Sequence, residues 1–264
     1  MSVTARLKLP SIENFIELIP RQTPPKVRIF GKRYLVFFDD KKRDSFLPLV
    51  YTKPIAKLRI GILTIEEKWN EYFRLLNQQF KASYLTQDYL NSKYPLIIED
   101  QNTFINSRYL PNSKLVDFIL NNLQSGEAIY HNDILIASRG SYTQFQENSY
   151  LVKDNNPSLI KVELKTITDL FQKNEEVLKD DYHLITSGRV SQKISETNTV
   201  IGDDVFIEEG AMVEAAVLNS NFGPIYIGKN AEVMEGSIVR GGFALCEGAV
   251  LKLGTKIYGA TTVG

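Results

Sequence analysis

The chain has 264 residues, 31 Lys plus Arg against 31 Asp plus Glu, and 43% apolar content, which is an ordinary globular balance. Zero net charge argues against a nucleic-acid binder that relies on a broad basic surface, though a local phosphate site remains open. One cysteine, Cys246, and two histidines, His131 and His183, exclude an internal disulfide, a thiolate metal cluster and a histidine-rich zinc site.

Residues 1–33 are basic, and their apolar stretch from Phe15 to Ile19 is broken by Glu17 and closed by Pro20. This reads as an N-terminal extension, not a secretory leader. No apolar run approaches the roughly 18 residues that span a bilayer, so the expected location is the reducing cytoplasm.

The run from Arg33 to Phe38 reads as a buried first strand ending in Asp39-Asp40. Thr64 to Leu76 reads as a helix. Thr64 caps it, Glu67 stands three residues on, and Ile65, Trp69, Phe73 and Leu76 share a face. Short strands are expected at Ala82–Leu85 and Leu96–Ile98, and a helix at Lys114–Leu123. Glu127–Tyr130 and Ile134–Ala137 flank His131-Asn132-Asp133 as a hairpin. A last helix, Ile167–Leu178, leads to a linker at residues 186–198. Alternating strands and helices place residues 34–185 in an α/β layered domain. Ligands bind such sheets at the carboxyl ends of the strands, which points to the stretch after Phe38.

From residue 199 the pattern changes. Ile201, Ile207 and Val213 are six apart, and so are Ile227, Val233, Val239, Leu245, Leu251, Ile257 and Val263. A second, mostly small or β-branched residue sits two positions before each. Two positions spaced by two share one side of a strand, and three hexads close a triangular coil, so residues 199–264 read as a parallel β-helix. The frame slips once, near Asn219 to Pro224, where a corner loop is expected. The repeat reaches Gly264 without a cap, so a truncated β-helix is expected.

Two stretches carry a resemblance. One runs through Phe37-Phe-Asp-Asp40, Phe46-Leu-Pro-Leu-Val50-Tyr-Thr-Lys-Pro54 and Leu58-Arg-Ile-Gly-Ile62-Leu-Thr64. The other comprises Asn198–Gly202, Gly223–Asn230, Met234–Gly236, Phe243–Glu247 and Lys256–Thr261. Together they resemble the bacterial sugar nucleotidyltransferases related to the bifunctional N-acetylglucosamine-1-phosphate uridylyltransferase/glucosamine-1-phosphate acetyltransferase, the glucose-1-phosphate thymidylyltransferase-like group. The resemblance implies an α/β nucleotidyltransferase-like domain, then an all-β left-handed parallel β-helix that assembles as a homotrimer. It implies nucleotide and sugar-phosphate substrates, Mg2+, and acetyl-CoA if the β-helix part transfers an acyl group.

Working relatives carry a glycine-rich loop with a basic residue after the first strand. Here Asp39-Asp-Lys-Lys-Arg-Asp44 contains no glycine. By resemblance Arg43 takes the place of the loop's cation and Lys53 that of a second one; both also read as plain solvated charges. Asp39 and Asp40 read as substrate-side carboxylates or as turn caps. Asn106 and Arg108 could touch a sugar or a phosphate, or belong to a surface turn. No metal ligand is assigned. His183 and Cys246 read as structural, Asp133 as a hairpin residue. Three functions follow: nucleotidyl transfer to a sugar 1-phosphate, acyl transfer from the β-helix part, or a catalytically degenerate binding or assembly module.

Overall fold

The computed structural model describes residues 34–154 and 157–264; the expected N-terminal extension lies outside the described residues. A six-stranded sheet has the order β2-β1-β3-β5-β4-β6. Its strands are β1 (Tyr34–Phe38), β2 (Lys81–Leu85), β3 (Asn102–Asn106), β4 (Glu127–His131), β5 (Ile134–Gly140) and β6 (Leu151–Asp154). β1 runs parallel to β2 and β3, and β5 runs antiparallel to β3 and β4.

β1 is apolar and aromatic throughout because both of its faces are covered. Leu35 and Phe37 join Trp69, Phe73, Leu115 and Ile119 in one core; Val36 and Phe38 join Phe104, Tyr130, Leu135 and Phe145 in another. The first core holds helix α1 (Ile65–Leu75), whose Thr64 and Glu67 form the expected capping box, and α2 (Ser113–Asn121). The β4–β5 hairpin turns through Asn132 and Asp133, both left-handed at φ 48° and 61°. The opposite face carries α3 (Tyr142–Glu147).

Four expectations change. Residues 96–98 are not a strand. Ser83 Oγ donates to the Ile97 carbonyl at 2.8 Å and accepts from its N–H at 2.7 Å, so one side chain takes over a ladder's role. The sheet's central partner is instead β3, whose terminal asparagines hide it from a hydrophobicity pattern. The last helix is two: α4 (Asp169–Gln172) and α5 (Asn174–Thr186), separated at Lys173. The expected linker is a cap on the next unit.

That unit has three parallel sheets with orders β16-β13-β10-β7, β17-β14-β11-β8 and β15-β12-β9. Its strands are β7 (Thr199–Ile201), β8 (Val205–Ile207), β9 (Met212–Val213), β10 (Val217–Asn219), β11 (Ile225–Ile227), β12 (Glu232–Val233), β13 (Ile238–Arg240), β14 (Phe243–Leu245), β15 (Val250–Leu251), β16 (Lys256–Tyr258) and β17 (Thr261–Val263). Visiting the sheets in turn is the winding of a parallel β-helix. Ile207, Ile227, Leu245 and Val263 stack in one column, and Val213, Val233 and Leu251 in another, as the hexads require.

The third column departs from the strict frame. It is Val200, Leu218, Val239 and Ile257, while Ile201 aligns with the outward Asn219, Arg240 and Tyr258. Corner length explains the slip. The corner after each strand of this sheet spans residues 202–204, 220–224, 241–242 and 259–260 in successive coils. The longest is the expected loop before Pro224.

Residues 191–198 replace a missing coil at the first edge. Asn198 accepts from Ala216 N–H at 2.9 Å and donates to the Val213 carbonyl at 2.7 Å. Gln192 accepts from Gly210 N–H and donates to the Ala211 carbonyl, both at 2.9 Å. Ile194 packs on the column below. An open strand edge would leave these groups unpaired.

The outward face of β8, β11 and β14 meets the α/β domain, where Phe206, Tyr226 and Ala244 pack on Ile62, Leu178, Tyr182 and Ile185. The turn at Gly61–Leu63 is the junction. Gly61 N–H donates to Asn174 Oδ1 at 2.7 Å, and the N–H groups of Ile62 and Leu63 donate to Asp181 Oδ2 at 2.8 and 3.1 Å. Lys68 pairs with the same buried carboxylate. From the β-helix, Thr262 Oγ1 donates to the Gly61 carbonyl at 2.9 Å. No helix among the described residues is long and apolar enough to cross a membrane.

Two stability predictions come from these contacts. Gly61→Ala puts a methyl 2.6 Å from Asp181 Oδ2 and 3.0 Å from the Val177 carbonyl carbon, at φ +69°. It should destabilise the chain by roughly 1–3 kcal/mol, and calorimetry should show both units melting earlier together; an unshifted transition contradicts the junction. Asn198→Ala should cost about 1–2 kcal/mol in urea unfolding, and a neutral result would mean that water caps the edge equally well.

Candidate functional site

The chain goes from β1 to β2 on one side and then crosses to β3 on the other. Loops leaving the carboxyl ends of β1 and β3 therefore diverge, and a doubly wound sheet opens its ligand crevice there. At that point stand Asp39 and Asp40 after β1 and Asn106, Ser107 and Arg108 at the end of β3.

Asp39 is buried. Its N–H continues the sheet to the Leu85 carbonyl at 3.0 Å. Its carboxylate accepts from Thr86 Oγ1 at 2.6 Å and from Ile55 N–H at 3.1 Å, and Arg43 Nε stands 3.6 Å away. Burial is the largest influence and pushes this carboxyl up to about 6, against the opposing hydrogen bonds and the Arg43 charge. Asp40 behaves oppositely. Burial raises it too, but the hydrogen bonds and charge of Arg108 outweigh that and hold its carboxyl below the ordinary value.

Arg108 bridges the loop after β1 and the segment at Glu163-Leu164. Its Nε donates to Asp40 at 2.8 and 2.9 Å and its Nη2 at 2.7 Å, the fork geometry of a strong guanidinium–carboxylate pair. Nη1 holds Glu163 at 3.0 Å and the Leu164 carbonyl at 2.8 Å. Asn106 Nδ2 donates to Asp40 and to the Leu135 carbonyl, both at 3.0 Å.

Arg43 lies on a short 3-10 turn, Arg43–Phe46, and points inward. Its Nη2 donates to the Val50 carbonyl and, at 3.1 Å, to Tyr89 Oη, closing the loop that leads to Lys53. Lys53 is half-buried and makes no hydrogen bond or ion pair among the described residues. Because Asp39 holds Ile55 N–H, the Thr52-Lys53-Pro54 segment is fastened to the site.

Five of the six residues named from sequence thus fall into two adjacent groups, Asp39 with Arg43 and Asp40 with Asn106 and Arg108, and the sixth, Lys53, is tethered beside the first. Arg108 and Asn106 are buried ligands of Asp40, not a surface turn. Sequence reasoning missed Thr86 and Ser107, although each directly follows a strand and the carboxyl-end rule points to both. It also missed Glu163 and Tyr89, which have no local pattern to mark them.

The aspartates do not fit a resident magnesium ion. Both Asp40 oxygens are engaged by Arg108, and Asp39 is inward, hydrogen-bonded and raised toward neutrality. Among the described residues no group of three His, Cys, Asp or Glu could hold a metal. A cavity of about 540 Å³ lies elsewhere, at the amino ends of β1 and β3, lined by Tyr34, Phe80, Asn102 and Arg139 among others. It is the wrong end of the sheet for ligand-directed loops, so the crevice carries the assignment.

The raised Asp39 carboxyl yields a pH prediction. Its folded value, about 6, lies above the ordinary 3.8. Between those values the folded chain holds more protons than the unfolded one, so stability falls as pH rises through that window. Asp39→Asn abolishes the titration. Relative to the parent it should gain roughly 1–3 kcal/mol between pH 4 and pH 7 in urea unfolding; an offset independent of pH contradicts the assignment.

A family model described as sugar nucleotidyl transferase matches residues 35–190. No curated protein matches the chain. The match runs from β1 through α5, covers the crevice and all six candidate residues, and stops where the β-helix cap begins. It spans more than half of the sequence: the chain belongs to the sugar nucleotidyl transferase family.

Proposed function

We propose that this chain transfers a nucleotidyl group from a nucleoside triphosphate to a sugar 1-phosphate, glucose 1-phosphate or N-acetylglucosamine 1-phosphate, in the crevice at the end of β1. The supporting observation is that a family member brings Asp39, Asp40, Arg43, Asn106 and Arg108 together at its topological switch point, with Lys53 as an uncommitted cation beside them. A phosphate oxygen of the sugar 1-phosphate attacks the α-phosphorus. A new P–O bond forms as the bond to the β-phosphate oxygen breaks, and pyrophosphate leaves with that electron pair. Lys53 offsets charge building on the leaving group. Arg43 holds the loop that presents Lys53, and Arg108 is the cation that follows β3. Magnesium enters this reading only with the triphosphate, as part of the substrate.

The resemblance that suggests these substrates also suggests a left-handed β-helix, a homotrimer and a cytoplasmic setting. Consistent with assembly, Met212 and Tyr258 are exposed on two faces of the β-helix while the third packs on α5. The described coils contain no histidine to act as a base, so acyl transfer from acetyl-CoA is not assigned to them.

One observation favours a second reading, a catalytically degenerate binding module: the Asp40 carboxylate and the Arg108 guanidinium already satisfy one another. Pyrophosphate release across a panel of triphosphates and sugar 1-phosphates separates the two. Turnover with one pair is expected, and Lys53→Ala should lower kcat/KM by about 10–100-fold without changing the melting temperature. No turnover with any pair, alongside nucleotide binding, would establish the second reading.

A further inference from the structure

The Asp40–Arg108 pair sits where a ligand of this fold should sit. Arg108 is 1% exposed, whereas the Asp40 side chain is 17% exposed and lies on the solvent side of the pair. Through Nε and Nη2 Asp40 takes one edge of the guanidinium, the same planar fork that binds a phosphate bidentately. Nη1 is held independently by Glu163 and the Leu164 carbonyl, so Arg108 stays anchored if Asp40 leaves. Asp40 is the second residue of the loop after β1 and is followed by the exposed Lys41 and Lys42.

We propose that Asp40 is a latch: its carboxylate occupies the phosphate position on Arg108, and a phosphate-bearing ligand enters the crevice by displacing it. Lys41 and Lys42 sit on the segment that must swing outward. The ligand class is a phosphate group, from either the triphosphate's pyrophosphate end or the sugar 1-phosphate. This rests on the proposed function for its substrates but not for its geometry. It also explains the mutual satisfaction of the crevice without degeneracy, since the charges are paired only until a better anion arrives.

The test is calorimetric titration of the parent and Asp40→Asn with two probes, inorganic pyrophosphate and glucose 1-phosphate. An asparagine keeps the size of the side chain, removes its charge and turns a poor donor toward Arg108. Affinity for at least one probe should rise by about tenfold or more, and the probe that gains identifies which phosphate displaces Asp40. Asp40→Asn,Arg108→Gln should lose that gain. Unchanged or weaker binding of both probes by a folded Asp40→Asn would overturn the latch, as would a gain that survives the Arg108 change. Should the single variant misfold, Asp40→Ser decides by the same criteria. The parent's nucleotidyl transfer, assayed in parallel, separates the two ideas. Turnover without an affinity gain sinks only the latch, and a gain without turnover sinks only the proposed reaction.

Discussion

Two adjacent carboxylates at the end of a strand buried on both faces have to be paired, and much of the site follows from that constraint. An unpaired buried charge is costly, and each aspartate meets the problem differently. Asp40 takes a guanidinium and remains charged. Asp39 takes a hydroxyl, a main-chain amide and a more distant arginine, and its carboxyl rises toward neutrality. The partners come from the segments after β1, β2 and β3, so pairing draws three loops into one crevice. A carboxylate kept at an energetic disadvantage is better explained by function than by stability.

The β-helix is part of this arrangement and not an appendage. Its Thr262 and the α5 residues Asn174 and Asp181 satisfy the turn at Gly61–Leu63, which follows the loop that Asp39 holds through Ile55. Coil packing therefore continues through the junction into the crevice wall. At its other end the solenoid is closed by side-chain amides and hydroxyls of residues 191–198, which supply the pairing that another coil would have given.

Much of the architecture was legible in the sequence because its signals are periodic. The sixfold recurrence from Ile207 onward and the Thr64–Glu67 cap each arise from a local rule and survive folding. The misses have equally physical causes. β3 is short, bounded by asparagines, and is central only because of pairings distant in sequence. Leu218 points inward and pairs in register with Val200, not Ile201, because corner lengths vary, which a strict frame does not register. Asp39 and Asp40 are legible because strand ends carry function in this fold, and Arg43 and Lys53 through the resemblance; that Asn106 and Arg108 stand at a strand end is hidden with β3. That Arg108 embraces Asp40 could not be read, since the two are far apart in sequence and meet only across the switch point.

The central claim is one of place: phosphate chemistry occurs at the carboxyl end of β1. Mapping backbone and arginine side-chain chemical shifts during a pyrophosphate titration tests it most directly. The largest changes should fall on Asp40 to Lys42, Lys53 and Ser107-Arg108. Changes centred instead on Tyr34, Phe80 and Arg139, at the opposite end of the sheet, would contradict it.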